Sequence, residues 1–262
     1  MRAASAAALL LLWPGGPAAR AAEPEPRQVV LHAFETVDRA GRPLGDGRGL
    51  SVVLELNPAR AALPSELVKR TGRKVAPDAT LTVPAAPYAP SRDKVRPQHR
   101  RPSFVLDYDE PAFAPLLEAL RKAHGAHPTV AQLVAFTDRH IAKKNLSRGF
   151  DIASTVARRG EGDCTEHAVL LAALARASGY PARVVTGLAL VQLQDGPQAF
   201  GHAWAELYVD GRWTLADAAL TAPPTPLYLP LSVLVYEGLG LAPGLTPELG
   251  ILDVRRVVVK AD

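Results

Sequence analysis

An α+β fold is predicted by three features of this sequence. Apolar residues recur at helical spacing from Glu110 to Ala177. From Ala182 to Asp217 the period changes to two. Before Pro102 lie short strand-forming runs separated by turn residues. With 262 residues, 48% of them hydrophobic, the chain has material for one large domain or two small ones. The expected division is a leader over residues 1–22, a β-rich unit and linker over 23–102, and a main α+β domain over 103–262.

In residues 1–22, Arg2 precedes an apolar core, Ala3 to Trp13, and Ala19-Arg20-Ala21 forms an A-x-A cleavage site. This pattern predicts a secretory leader and export, to the periplasm or outside the cell. The apolar run is too short to span a bilayer, and no later stretch is long and apolar enough either. Two of the four net positive charges, Arg2 and Arg20, fall in the leader, which leaves +2. So weak a balance argues against a nucleic-acid partner. Strands are expected at Val29–Phe34, Leu50–Leu56 and Thr80–Val83, and a short helix at Ser65–Arg70. Prolines and charges dominate Pro84 to Pro102, including the basic run Arg92 to Arg101, and predict an exposed, solvated linker.

Pro111 suits a first helical position, and Phe113, Leu116, Leu117 and Leu120 follow at helical spacing. A second helical pattern runs from Thr129 to Lys144, and a short one from Phe150 to Arg159. Asp163 followed by Glu166 reads as a capping box, which makes Cys164 the first residue of the next helix. Ala168 to Ala177 is almost wholly apolar, which predicts a buried helix, ended by Gly179 and Pro181. A lone cysteine is commonly a small buried hydrophobe. This one is the sole cysteine of the chain and stands at the positive end of a helix, where the dipole favours thiolate. An activated thiolate is therefore expected at Cys164.

After the buried helix, strands are expected at Ala182–Leu193, Phe200–Val209 and Trp213–Asp217. The turns fall at Asp195-Gly196-Pro197 and Asp210-Gly211. His202, Trp204, Glu206 and Tyr208 share one face by alternation. With a two-residue turn, Val209 pairs with Arg212 and Trp204 with Asp217, which sets Asp217 diagonally across from His202. Pro-rich Leu229 to Gly244 reads as irregular, and Ile251–Lys260 as an edge or closing strand.

Cys164, His202 and Asp217 are, in that order, the parts of a thiol triad: nucleophile, base and orienting carboxylate. The N–H of Cys164 is a natural oxyanion donor. Here the sequence resembles the transglutaminase-like superfamily. The resemblance rests on Gly162-Asp163-Cys164, Gly179-Tyr180-Pro181-Ala182-Arg183, His202-Ala203-Trp204, and Trp213 with Asp217. It covers roughly Leu106 to Leu220. It implies a papain-like core, with the cysteine helix packed on an antiparallel sheet that carries His202 and Asp217. It also implies amide chemistry (acyl transfer, deamidation or peptide hydrolysis) on a peptide or protein substrate. Two departures stand out: no Trp lies between Trp13 and Trp204 to help hold an oxyanion, and Ala218 replaces the usual Pro after the acid.

No cofactor is expected, and no acidic cluster has calcium-binding spacing. His167, one turn past Cys164, suits packing or hydrogen bonding; a zinc site would need ligands beyond these two. Trp204 and Trp213 either wall the cleft or fill the core. Glu206 either reaches the cleft rim or meets a buried basic partner. Arg183 is expected in a structural ion pair. His32, His99, His124, His127 and His140 have no partner pattern and are expected on the surface or in loops. The non-enzymatic alternative is a catalytically silent binding module of the same fold.

Overall fold

The structure is a computed structural model and describes residues 33–58, 65–86, 88, 90–144, 151–223, 225–234 and 254–262. The leader over residues 1–22, and the expected strand Val29–Phe34 apart from Ala33 and Phe34, lie outside the described residues.

The elements follow the order β1 (Thr36–Asp38), β2 (Leu50–Leu56), α1 (Ser65–Thr71), β3 (Thr80–Pro84), α2 (Ala114–His124), α3 (Val130–His140), β4 (Lys143–Lys144), α4 (Ala153–Arg159) and β5 (Glu161–Gly162). Then come α5 (Cys164–Ala177), β6 (Ala182–Leu193), β7 (Gly196–Val209), β8 (Arg212–Ala216), β9 (Leu227–Leu234) and β10 (Val254–Ala261). One four-stranded sheet has the order β8-β7-β6-β9 and is antiparallel throughout. A second has the order β1-β10-β2-β3. The fold is therefore mixed α+β with two largely antiparallel sheets, as the sequence predicts.

The central sheet is covered in two parts on one face. Ala182, Val184, Ala203, Ala205 and Leu207 pack against α5, whose residues Ala168 to Ala175 are all buried. Further along the same face, Leu188, Leu190 and Ala199 pack against Leu50, Val52, Leu54 and Val257 of the second sheet. Each large apolar side chain sealed this way contributes roughly 1.5–3 kcal/mol. Eleven of the fourteen residues of α5 are buried and anchor a rigid platform, with Cys164 left at its free end.

Several expectations are corrected. Pro84 to Pro102 is packed in part: Arg92, Lys94, Arg96, Arg100 and Arg101 are exposed as expected, but the segment is tied to the sheet and to α5. Ser91 bridges to Trp213, whose N–H donates to the Ser91 carbonyl (2.8 Å), and Pro97–Arg100 forms a 3-10 turn. Arg176 of α5 fastens this segment by donating to the carbonyl of Arg101 (2.8 Å). Proline was a poor guide here, because its fixed φ serves a packed irregular segment as well as an exposed one.

Leu229 to Gly244 is not irregular throughout: its start belongs to β9, at the sheet edge. Pro230 is tolerated because it sits on an edge strand beside a register shift at Thr186/Gly187. Gly187 is required there, since a Cβ would lie 2.1 Å from the Leu229 carbonyl oxygen. The C-terminal strand is interior, between β1 and β2, so the chain's end completes the N-terminal sheet. Smaller shifts also appear. Helix α2 begins at Ala114, three residues beyond Pro111, and α3 ends at His140.

Candidate active site

The capping box at Asp163 forms as expected. Its carboxylate accepts the Thr165 N–H (2.8 Å), and Glu166 Oε2 accepts the Asp163 N–H (2.8 Å). Cys164 is therefore the first residue of α5. It is half-buried and packs against Val191 and Phe200.

The β7–β8 hairpin adopts the expected register, Val209 with Arg212 through Ala205 with Ala216. The ladder stops there, and beyond it the N–H of Ala203 donates to the Cys164 sulfur. The thiol is thus docked against β7 one residue from His202, at a point where β8 no longer covers the strand.

His202 itself is 1% exposed and its Nε2 lies 2.7 Å from Asp217 Oδ2. With Nε2–H donating to the carboxylate, Nδ1 carries the lone pair. Nδ1 is buried and has no hydrogen-bond partner among the described residues. Asp217 Oδ1 accepts the N–H groups of Ala219 (2.7 Å) and Leu220 (3.2 Å). Tyr228 on β9 donates its hydroxyl to Asp217 Oδ2 (2.7 Å), a contact the sequence reading missed. Burial alone would raise the Asp217 carboxyl, but His202, Tyr228 and the Ala219 N–H outweigh it and hold the group down at about 2.

The thiol behaves differently from expectation. Burial first, then the charges of Asp163, Asp217 and Glu166, push Cys164 well up, against the pull of the Ala203 N–H. These effects oppose the thiolate that the helix dipole favours. The dipole acts over a single turn, and the same cap that creates it brings two carboxyl groups beside the sulfur. Glu166 is itself pushed up to about 8 by burial and by Asp163.

Trp204 and Trp213 are both fully buried and fill the core. Trp204 still stacks over His202, with ring centroids 6.0 Å apart at 25°, and so keeps water from that side of the imidazole. Trp213 donates to the Asp93 carbonyl (3.0 Å) and carries the Arg183 guanidinium 4.3 Å from its ring centroid. Glu206 meets buried basic partners: Arg70 Nη1 on Oε1 and Arg183 Nη2 on Oε2, each at 2.7 Å, with Tyr88 donating as well. Arg183 is thus in the structural ion pair expected of it.

His167 is buried, and its Nδ1 bonds to the Asp163 carbonyl. His99 corrects the surface expectation: it is buried edge-on against Trp213 (4.8 Å), and its Nδ1 accepts the Arg96 N–H (3.0 Å). Among the described residues no group of His, Cys, Asp and Glu has metal-binding geometry. No described helix is long and apolar enough to cross a membrane. A mainly apolar cavity of about 640 Å³ opens beside the site, lined by Tyr228, Tyr88, Leu215 and Leu44 among others.

No curated protein sequence matches the chain. A solved candidate cysteine protease from Cytophaga hutchinsonii is similar at 14% identity over 81% of each chain, with a TM-score of 0.41. The periplasmic domain of TgpA from Pseudomonas aeruginosa, bound to ethylmercury, is 25% identical over 48% of this chain and 49% of that one, with a TM-score of 0.34. A structure described as a TGase is 22% identical over 42% of this chain and 32% of that one, with a TM-score of 0.29. The model of the transglutaminase-like superfamily matches residues 116–218. That stretch holds Cys164, His202 and Asp217.

Proposed function

We propose that this protein is an exported thiol enzyme that acts on peptide or protein amide bonds through a Cys164–His202–Asp217 triad and a thioester. The observation that carries this reading is the state of His202. Its Nε2 is clamped to Asp217, while its Nδ1 is a buried, unpartnered acceptor on the residue next to the one that docks the thiol. Buried polar atoms are rarely left unpaired, and such an exception calls for a task.

With burial and the nearby carboxyl groups opposing the thiolate, attack and deprotonation are coupled. Cys164 Sγ bonds to the amide carbonyl carbon while His202 Nδ1 takes the thiol proton. Asp217 steadies the imidazolium so formed. The Cys164 N–H faces the developing oxyanion, the box at Asp163 having engaged its neighbours' N–H groups instead. The proton passes to the leaving nitrogen, the C–N bond breaks, and the acyl group remains on sulfur. Water or an amine then releases it as an acid or a new amide. Residues 1–22 supply the leader for export, and residues 103–262 the catalytic domain, to which the N-terminal unit is joined through a shared sheet.

The raised thiol favours a second reading, a silent module that keeps the fold without turnover. One experiment separates the two. Wild type, Cys164→Ala and His202→Ala are mixed with a library of glutamine-containing and amidated peptides, quenched in acid and weighed intact. The enzyme reading expects an acyl adduct on wild type alone. An unmodified wild type across the whole library supports the silent module.

A further inference from the structure

The Asp217 carboxylate is held by four donors, and one of them, Tyr228, comes from neither the β7–β8 hairpin nor the turn that follows it. Tyr228 stands on β9, two strands away from β7 in the order β8-β7-β6-β9. Its phenol must cross β6 to reach Asp217. The crossing is open because β6 presents its smallest residues at that level. Gly187 pairs with His202, and Ala189 pairs with both Phe200 and Tyr228. A Cβ on Gly187 would press on the Trp204 ring at 2.9 Å. The phenol ring is fixed by edge contacts with Trp204 (5.2 Å) and Tyr88 (6.3 Å), and lies 6.0 Å from the His202 ring.

The hydroxyl has one role open to it. Burial and the Asp217 charge push the phenol far above its ordinary value, so it stays protonated and donates. It donates to Oδ2, the oxygen that also accepts His202 Nε2–H. Two donors therefore share one oxygen. Each withdraws charge that the other would otherwise use.

We infer that Tyr228 is a positioning residue of this site: by holding Asp217 Oδ2 it limits how strongly the carboxylate binds protonated His202, and so sets the pH at which His202 is free to accept the thiol proton. The inference rests on the triad reading above. The other titratable groups near the pair are Cys164, which feels the Asp217 charge, Asp163 and Glu166 beside that thiol, and Tyr88, whose ring meets Tyr228 edge-on. Tyr228 is the one among them that donates to the carboxylate.

The test is the rate of Cys164 alkylation by iodoacetamide across pH, on the full chain, which needs no known substrate. Wild type is compared with Tyr228→Phe, which keeps the ring contacts and removes the hydroxyl. His202→Ala is the control. A carboxylate that has lost one donor holds the imidazolium more tightly, so the midpoint of the His202-dependent step should rise by about half a pH unit or more. As a second variant, 3-fluorotyrosine at position 228 is a stronger donor of nearly the same shape, and should move the midpoint down. Should the Phe variant fail to fold, the fluorinated protein still decides the question. Midpoints that stay put in the folded variants overturn the role of Tyr228 while leaving the triad standing. Identical wild-type and His202→Ala profiles overturn the triad reading itself.

Discussion

His202 on β7 and Asp217, one residue past the end of β8, meet at 2.7 Å because Ala205 pairs with Ala216 and the next step of that register sets Asp217 beside the imidazole. The carboxylate fixes which ring nitrogen carries the proton. Asp217→Asn keeps the shape and loses the charge that steadies the imidazolium. Turnover should fall at least about 100-fold with little change in fold, measured as acyl-adduct formation rate beside a circular dichroism spectrum. Undiminished turnover would remove Asp217 from the mechanism.

The same carboxylate makes stability depend on acidity. Its folded value is held near 2, below the ordinary carboxylate range, so the unfolded chain binds the proton first as pH falls. The stabilisation is complete above about pH 4 and is lost as pH drops through about 2. Urea unfolding should show a loss on the order of 2 kcal/mol over that window in wild type, and a smaller loss in Asp217→Asn.

Glu166 has the opposite sign. Burial and Asp163 push it up to about 8, so the folded state keeps a proton that the unfolded state releases near pH 4. Stability should therefore decline as pH rises from about 4 to about 8. Glu166→Gln, which retains an acceptor for the Asp163 or Asp151 N–H, should flatten that decline by on the order of 5 kcal/mol. Parallel wild-type and mutant curves in thermal melts across this range would show that Glu166 is ionised throughout.

Glu206 is wholly buried between Arg70 of α1 and Arg183 of β6, and so ties the N-terminal unit to the central sheet. Glu206→Ala would leave two guanidinium groups buried without their main counter-charge. The cost should be about 3–5 kcal/mol, seen as a lowered denaturant midpoint. A loss under about 1 kcal/mol would mean that Glu66 and Asp93 already compensate both arginines.

The local signals in the sequence carried far. Asp163 and Glu166 announced the start of α5, and Asp210-Gly211 fixed the hairpin register that joins His202 to Asp217. Both are short-range features, decided within a few residues. What the sequence hid depends on packing between distant strands. Tyr228 reaches Asp217 only because Gly187 and Ala189 clear its path, and Pro230 had disguised β9 as a loop. The upward push on Cys164 was hidden for a related reason. Its local setting, a helix start, favours thiolate, whereas burial and the carboxyl groups around it favour the thiol.

The central claim is that His202 Nδ1 draws the proton from Cys164. The most direct measurement is the iodoacetamide alkylation rate near neutral pH for wild type and His202→Ala. The account predicts a rate at least about tenfold higher in wild type, since a buried thiol without its base has little means of losing a proton at that pH. Equal slow rates in the two proteins would contradict it.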